Sequence, residues 1–269
     1  MQQVQIQEFI LRDTSLICPS CSTPFASPQI ARMPNITAET TIEADLHRVL
    51  PAAAVRGALI AICPACVYTW WSTAFAPHFY VPDLLVPSPE IEYPKKFAHA
   101  VLTGRKNGAH ALDRALLALN GLWCARETYI GAGPEQMDNY RADNERWLVL
   151  AVQELDTALR DEDWNGNRHR YAYIMGEVLR QLADFHAAVR YLDTVVARRA
   201  MLPQELIDHQ RQLAMAGVSD PTVLPPHVVE AIFLPKPQVI VAEAEEPIPA
   251  ISTPLIFTTP SMQMTAAVR

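Results

Sequence analysis

Glycine is scarce in this chain, nine residues in 269, and the glycine-rich phosphate cradles are missing with it: there is no GxxxxGKS/T and no GxGxxG. HExxH and GxSxG are absent too, so the common metalloprotease and serine-hydrolase signatures are excluded. Basic residues are the minority, 22 against 29 acidic ones, for a formal charge of −7. That balance argues against general phosphate-backbone binding through clustered Lys and Arg, and leaves room only for a local basic patch. Long apolar runs are lacking as well. The longest uncharged, mostly apolar stretch, "GALIAICPACVYTWW" at 57–71, has 15 residues and a proline inside it, whereas a spanning helix needs about 20. No membrane association is expected. The N-terminus "MQQVQIQEFILRD" has no basic region followed by an apolar core, so no secretory signal is expected and the cytoplasm is the default location.

Half of the residues are apolar, enough for a core in one or two domains. Four of the five cysteines stand in two near copies of one motif, "LICPSC" at 16–21 and "AICPAC" at 61–66. A CxxC turn lets two thiolates converge on one tetrahedral ion, and two such turns close the site with four sulfurs. In a reducing compartment, paired cysteines favour metal or redox chemistry over disulfides. Cys18, Cys21, Cys63 and Cys66 are therefore the expected ligands of one structural Zn2+ per chain, each pair following a β-like run as in a zinc ribbon. The 41 residues between Cys21 and Cys63 exceed the roughly 15 to 20 of a compact ribbon. The segment "AETTIEADLHRVLPAAAVRGA" is accordingly expected to hold extra strands or a helix. A CPxC pair also matches the redox dithiol of thioredoxin-like proteins, although neither pair is followed by a long amphipathic helix. Ordinary buried thiols are the plain alternative, and Cys124, on an apolar stripe, is expected to be one. The eight histidines form no pair at ligand spacing; His78 is the one placed to replace a sulfur.

Three regions separate by pattern. Residues 1–93 are short apolar runs cut by prolines and turns, expected as a zinc-ribbon-like metal-binding domain. Residues 94–218 carry apolar stripes at steps of three and four. Leu112, Ala115, Leu119 and Leu122 form one, Trp147, Ala151, Leu155 and Ala158 another, with further stripes through Ile174, Val178 and Leu182 and through Ala188 and Leu192. Pro203 suits the first turn of one more helix, which Gly217 is placed to end. Residues 219–269 are proline-rich and expected as a disordered tail. The carboxylates Glu154, Asp156, Asp161, Glu162 and Asp163 are expected on a solvated helix end, and Lys95 and Lys96 on a solvated face.

The run "YIMGEVLRQLADFHAAVRYLDTVV" at 173–196 resembles a tetratricopeptide unit. Gly176 and Ala188 occupy its two small positions and Ala183 its turn-glycine position, while Ala172 and Ala200 replace the usual tryptophan and closing proline. Together with "CPSC", "CPACVYTWWSTAF" and "KKFAHAVLTG", this run makes the chain similar to a bacterial family of unknown function with an N-terminal CPxC…CPxC zinc-ribbon-like part and a tetratricopeptide-like helical part. The resemblance places the metal ligands at Cys18, Cys21, Cys63 and Cys66, and it brings no established activity. The family's glycine after each second cysteine is Ser22 and Val67 here. The expected fold is mainly α, with a small β zinc-ribbon-like N-terminal part and antiparallel helical hairpins. The expected function is that of a non-enzymatic zinc-binding interaction or scaffold protein whose helical groove takes a protein partner. The alternatives are a CPxC thiol redox protein and a nucleic-acid-binding zinc module.

Overall fold

A computed structural model of the chain describes residues 9–37, 39–78, 84–161 and 167–234. The fold is mostly helical with a small antiparallel sheet near the N-terminus. Strands β1 (Ile10–Ile17) and β2 (Pro24–Arg32) pair antiparallel, with Ile17 opposite Pro24 at the closed end of the hairpin. Pro24 and Pro28 are tolerated because β2 is an outer strand of its sheet, where a missing N–H breaks no central ladder. A short helix α1 (Ala53–Gly57) follows, and then a second hairpin of β3 (Ile60–Ile62) and β4 (Thr69–Trp71). Strand β5 (Ala76–Pro77) returns to the free side of β1.

From residue 93 the period changes and the helices begin. They are α2 (Tyr93–Lys106), α3 (Ala111–Thr128), α4 (Met137–Arg160), α5 (Arg168–Gln181), α6 (Phe185–Asp193), α7 (Ala197–Ala200) and α8 (Gln204–Met215). Ala115, Leu119 and Leu122 of α3 are buried, as are Ala151, Leu155 and Ala158 of α4 and Ala188 and Leu192 of α6. These are residues of the apolar stripes. Asn167 and Asp184 cap α5 and α6 by accepting hydrogen bonds from Arg170 N and Ala187 N. Gly217 follows α8 at φ 72°, a left-handed residue that ends the helix. Close crossings need small residues. A Cβ on Gly121 of α3 would fall 2.7 Å from Trp147 Cε3 of α4, and one on Gly176 of α5 would fall 2.7 Å from Leu192 Cγ of α6.

Residues 219–234 differ from the tail expected there. Ala44 N donates to Thr222 O and Leu224 N to Ile42 O, so this segment pairs with the 42–44 strand-like stretch. Helix α9 (Pro226–Phe233) then buries Val228 and Val229. Pro226 opens α9 at a position whose N–H would have no helical partner, so proline density there does not prevent a helix. The remainder of the expected tail, 235–269, lies outside the described residues.

Two cores result. The large one joins the helices to Ile42, Ala44, Ala53 and Ile60. A small one collects Leu16, Cys18, Phe25, Ala61, Cys63 and Phe75. Among the described residues no helix is long and apolar enough to cross a membrane.

Candidate metal centre

Each CPxC motif forms the tip of a hairpin: Cys18–Cys21 joins β1 to β2, and Cys63–Cys66 joins β3 to β4. The two tips share one backbone pattern. Cys18 N donates to Thr23 O and Ser22 N to Cys18 O, and in the same way Cys63 N donates to Tyr68 O and Val67 N to Cys63 O. This tight turn forces the residue after each second cysteine to positive φ, 59° at both Ser22 and Val67. Glycine would adopt that conformation freely. Here a serine and a β-branched valine hold it, at a cost of about 1 to 2 kcal/mol each.

The tips face one another. The sulfurs of Cys18 and Cys66 are 3.6 Å apart, as are those of Cys21 and Cys63, and all four lie within 4.8 Å of one another. A tetrahedral ion with metal–sulfur bonds of about 2.3 Å needs sulfur–sulfur edges of about 3.8 Å, so the four cysteines can hold a metal ion. Both first cysteines are buried and both second ones exposed. Burial pushes the Cys18 thiol up to about 12 and also raises Cys63. The contact between Cys21 Sγ and the Thr23 hydroxyl, 3.2 Å, and then the Thr23 backbone bring Cys21 down to about 6. A cation at the centre supplies the charge that the buried pair needs to ionise. Cys124 lies elsewhere, buried on α3 with its thiol 3.5 Å from Ala53 O. His78 does not join the sulfurs.

A second polar constellation lies beneath α1 and escaped the sequence reading. Glu127 of α3, fully buried at its side chain, accepts at Oε1 from His47 Nε2 (3.0 Å), Leu50 N (2.9 Å) and Arg56 Nη2 (2.8 Å), and at Oε2 from Arg56 Nε (3.0 Å). His47 Nδ1 meets Glu43 Oε2 at 2.8 Å, and its ring stacks on Trp123 at 5.3 Å. Arg126 Nη1 donates to Glu43 Oε2 (2.7 Å) and Asp45 Oδ2 (2.9 Å), and Nη2 donates to Gln181 Oε1. Burial disfavours the Asp45 and Glu127 charges. Arg126 and His47 overcome it at Asp45, and hydrogen bonds from His47 and Arg56 do so at Glu127, so both carboxyls sit below their usual range. Glu43, Asp45 and His47 also offer ligand atoms within 4.8 Å of one another, but the Arg126 guanidinium already fills the cation's place between the two carboxylates. The one sequence trace of this cluster is polar Asn120, Arg126 and Glu127, with Trp123, recurring at helical spacing along the mostly apolar stretch of α3 that begins at Ala115.

Two further expectations change. Glu154 is buried rather than solvated, accepting from Arg105 Nε of α2 (2.6 Å) and Arg114 Nε of α3 (2.9 Å). Lys95 is exposed and pairs with Glu92 at 2.9 Å, whereas its neighbour Lys96 is only 4% exposed. Compared with protein-family models, curated proteins and solved structures, the chain matches none.

Proposed function

We propose that the chain is a zinc protein in which one Zn2+, held by Cys18, Cys21, Cys63 and Cys66, pins the two hairpins together. The observation that carries this reading is the meeting of the two pairs: sulfurs of opposite hairpins approach to 3.6 Å, and all four lie within 4.8 Å of one another. A lone redox dithiol does not call for a second CPxC pair facing it. Four sulfur ligands leave no open position, so the zinc is structural, worth about 10 kcal/mol of folding free energy in small zinc modules. The chain then acts as a non-enzymatic interaction protein in the reducing cytoplasm, its helices offering a surface to a protein partner. The α5–α6 hairpin, with Gly176 against Leu192 and Ala183 at positive φ in the turn, supports a tetratricopeptide-like unit in that surface.

The test is zinc stoichiometry on protein purified without added metal, with thiols counted before and after chelation. One zinc per chain and four thiols that react only after chelation are expected. A metal-free protein whose CPxC pair cycles between dithiol and disulfide would overturn the reading in favour of redox chemistry.

A further inference from the structure

A cleft of about 790 Å³ opens between the β1–β2 hairpin, the 85–92 segment and the start of α2. Its walls include the apolar side chains of Leu85, Ile91 and Tyr93. Lys96 lines it too, and this lysine is unusual. It is 4% exposed, and the one partner its ammonium finds among the described residues is the Tyr93 ring, 5.6 Å away. The side chain is buried while its nitrogen faces the cleft, and partial burial without a carboxylate partner disfavours the ammonium against the neutral amine. Burial accordingly lowers the Lys96 amine below the usual lysine range. A Cys124 thiolate would oppose this, but burial keeps Cys124 a thiol up to about 12.

Two ligand chemistries suit a buried lysine: an anion that pairs with the ammonium, and a carbonyl that reacts with the amine. The cleft decides between them. Among the described residues Asp13, Glu90 and Glu92 line it as well, and Lys95 pairs with Glu92 alone. An anion would meet excess negative charge, whereas a neutral molecule would not.

We propose that Lys96 is a covalent ligand site that captures a small, neutral, apolar aldehyde in this cleft as an imine. The amine lone pair adds to the carbonyl carbon and the C–N bond forms. The carbonyl oxygen takes up the two amine protons and leaves as water, so no oxidant or reductant is consumed. The apolar walls hold the aldehyde's chain. This site is independent of the zinc centre.

The chain has four lysines, at 95, 96, 106 and 236, so reactivity can be read residue by residue. Native full-length protein is treated with limiting butanal and cyanoborohydride, which reduces each imine to a stable butyl-lysine, and the peptides are mapped by mass. Lys96 is expected to be labelled several-fold faster than the exposed Lys95, with the preference lost in concentrated urea. Labelling of Lys96 no faster than Lys95 overturns the proposal. So does protection of Lys96 by butyrate, which would identify an anion site. Lys96→Met, checked for folding by circular dichroism, should remove the fast-labelled site; a fast phase that persists also overturns the proposal.

Discussion

Replacing Glu127 by glutamine tests whether the buried charge cluster holds the fold together. The carboxylate collects four hydrogen bonds at 2.8 to 3.0 Å from three residues, and it is the only acidic ion-pair partner of Arg56 among the described residues. A carboxamide has the same shape but one acceptor oxygen. Its NH2 must therefore face a donor, Arg56 Nε on one flip and the His47, Leu50 and Arg56 Nη2 group on the other. Removing one member of a buried ion pair costs about 3 to 5 kcal/mol. The amide keeps some hydrogen bonds, so Glu127→Gln is expected at the low end, about 3 kcal/mol, a large part of a typical 5 to 15 kcal/mol stability. In urea titration followed by far-ultraviolet circular dichroism, the midpoint should fall by about 1 M at unchanged slope. Adding Arg56→Met should cost less than the sum of the two single changes, by more than about 1 kcal/mol. A loss under about 1 kcal/mol for Glu127→Gln would mean that the cluster is no stronger than surface ion pairs, and would refute the reasoning. The pH dependence adds a sign. Glu127 and Asp45 lie below their usual range in the fold, so their contribution is complete above the unfolded carboxyl range and fades as pH falls below about 4. Burial raises Glu177, which works in the opposite sense. The wild-type and Glu127→Gln curves share that effect, so their difference isolates Glu127 and should shrink in acid.

Other substitutions probe separate features. Gly121→Ala gains about 1 kcal/mol of helix propensity but drives a Cβ into the Trp147 indole; overpacking of this kind costs about 1 to 3 kcal/mol, so a net loss in urea titration is expected. Ala183→Gly relieves a left-handed residue at φ 62° on an exposed turn; relief of about 1 to 2 kcal/mol outweighs about 0.4 to 1 of added unfolded-state entropy, and the melting point should rise. Cys18→Ala should abolish stoichiometric zinc, whereas Cys124→Ala should leave one zinc per chain, by metal analysis of the purified variants.

The cysteine cluster is legible in the sequence because both halves of it are local. Two CPxC turns behind apolar runs specify two hairpin tips, and sulfur chemistry brings them together. The helices were legible from their stripes for the same reason, since period is a local property. Glu127 was not. Its partners lie 71 to 80 residues away in sequence, and a glutamate near a helix end looks the same whether it faces water or Arg56. Glu154 and Lys96 likewise read as solvated in sequence, and tertiary packing buries both. Residues 226–233 differ for another reason: proline reads as a helix breaker, but at the first turn it is a helix starter.

The small core around the cysteines has a consequence for cooperativity. It counts six side chains, two of them the buried cysteines themselves, too thin a layer to stabilise a pair of hairpins unaided. The helices have their own, much larger apolar core. Amides of β1 and β2 should therefore exchange through a sub-global opening that leaves α3 to α5 protected. With the metal bound the β1–β2 hairpin is tied to the body and the protein should melt in one step. Once chelated, it should melt in two, the β1–β2 hairpin first.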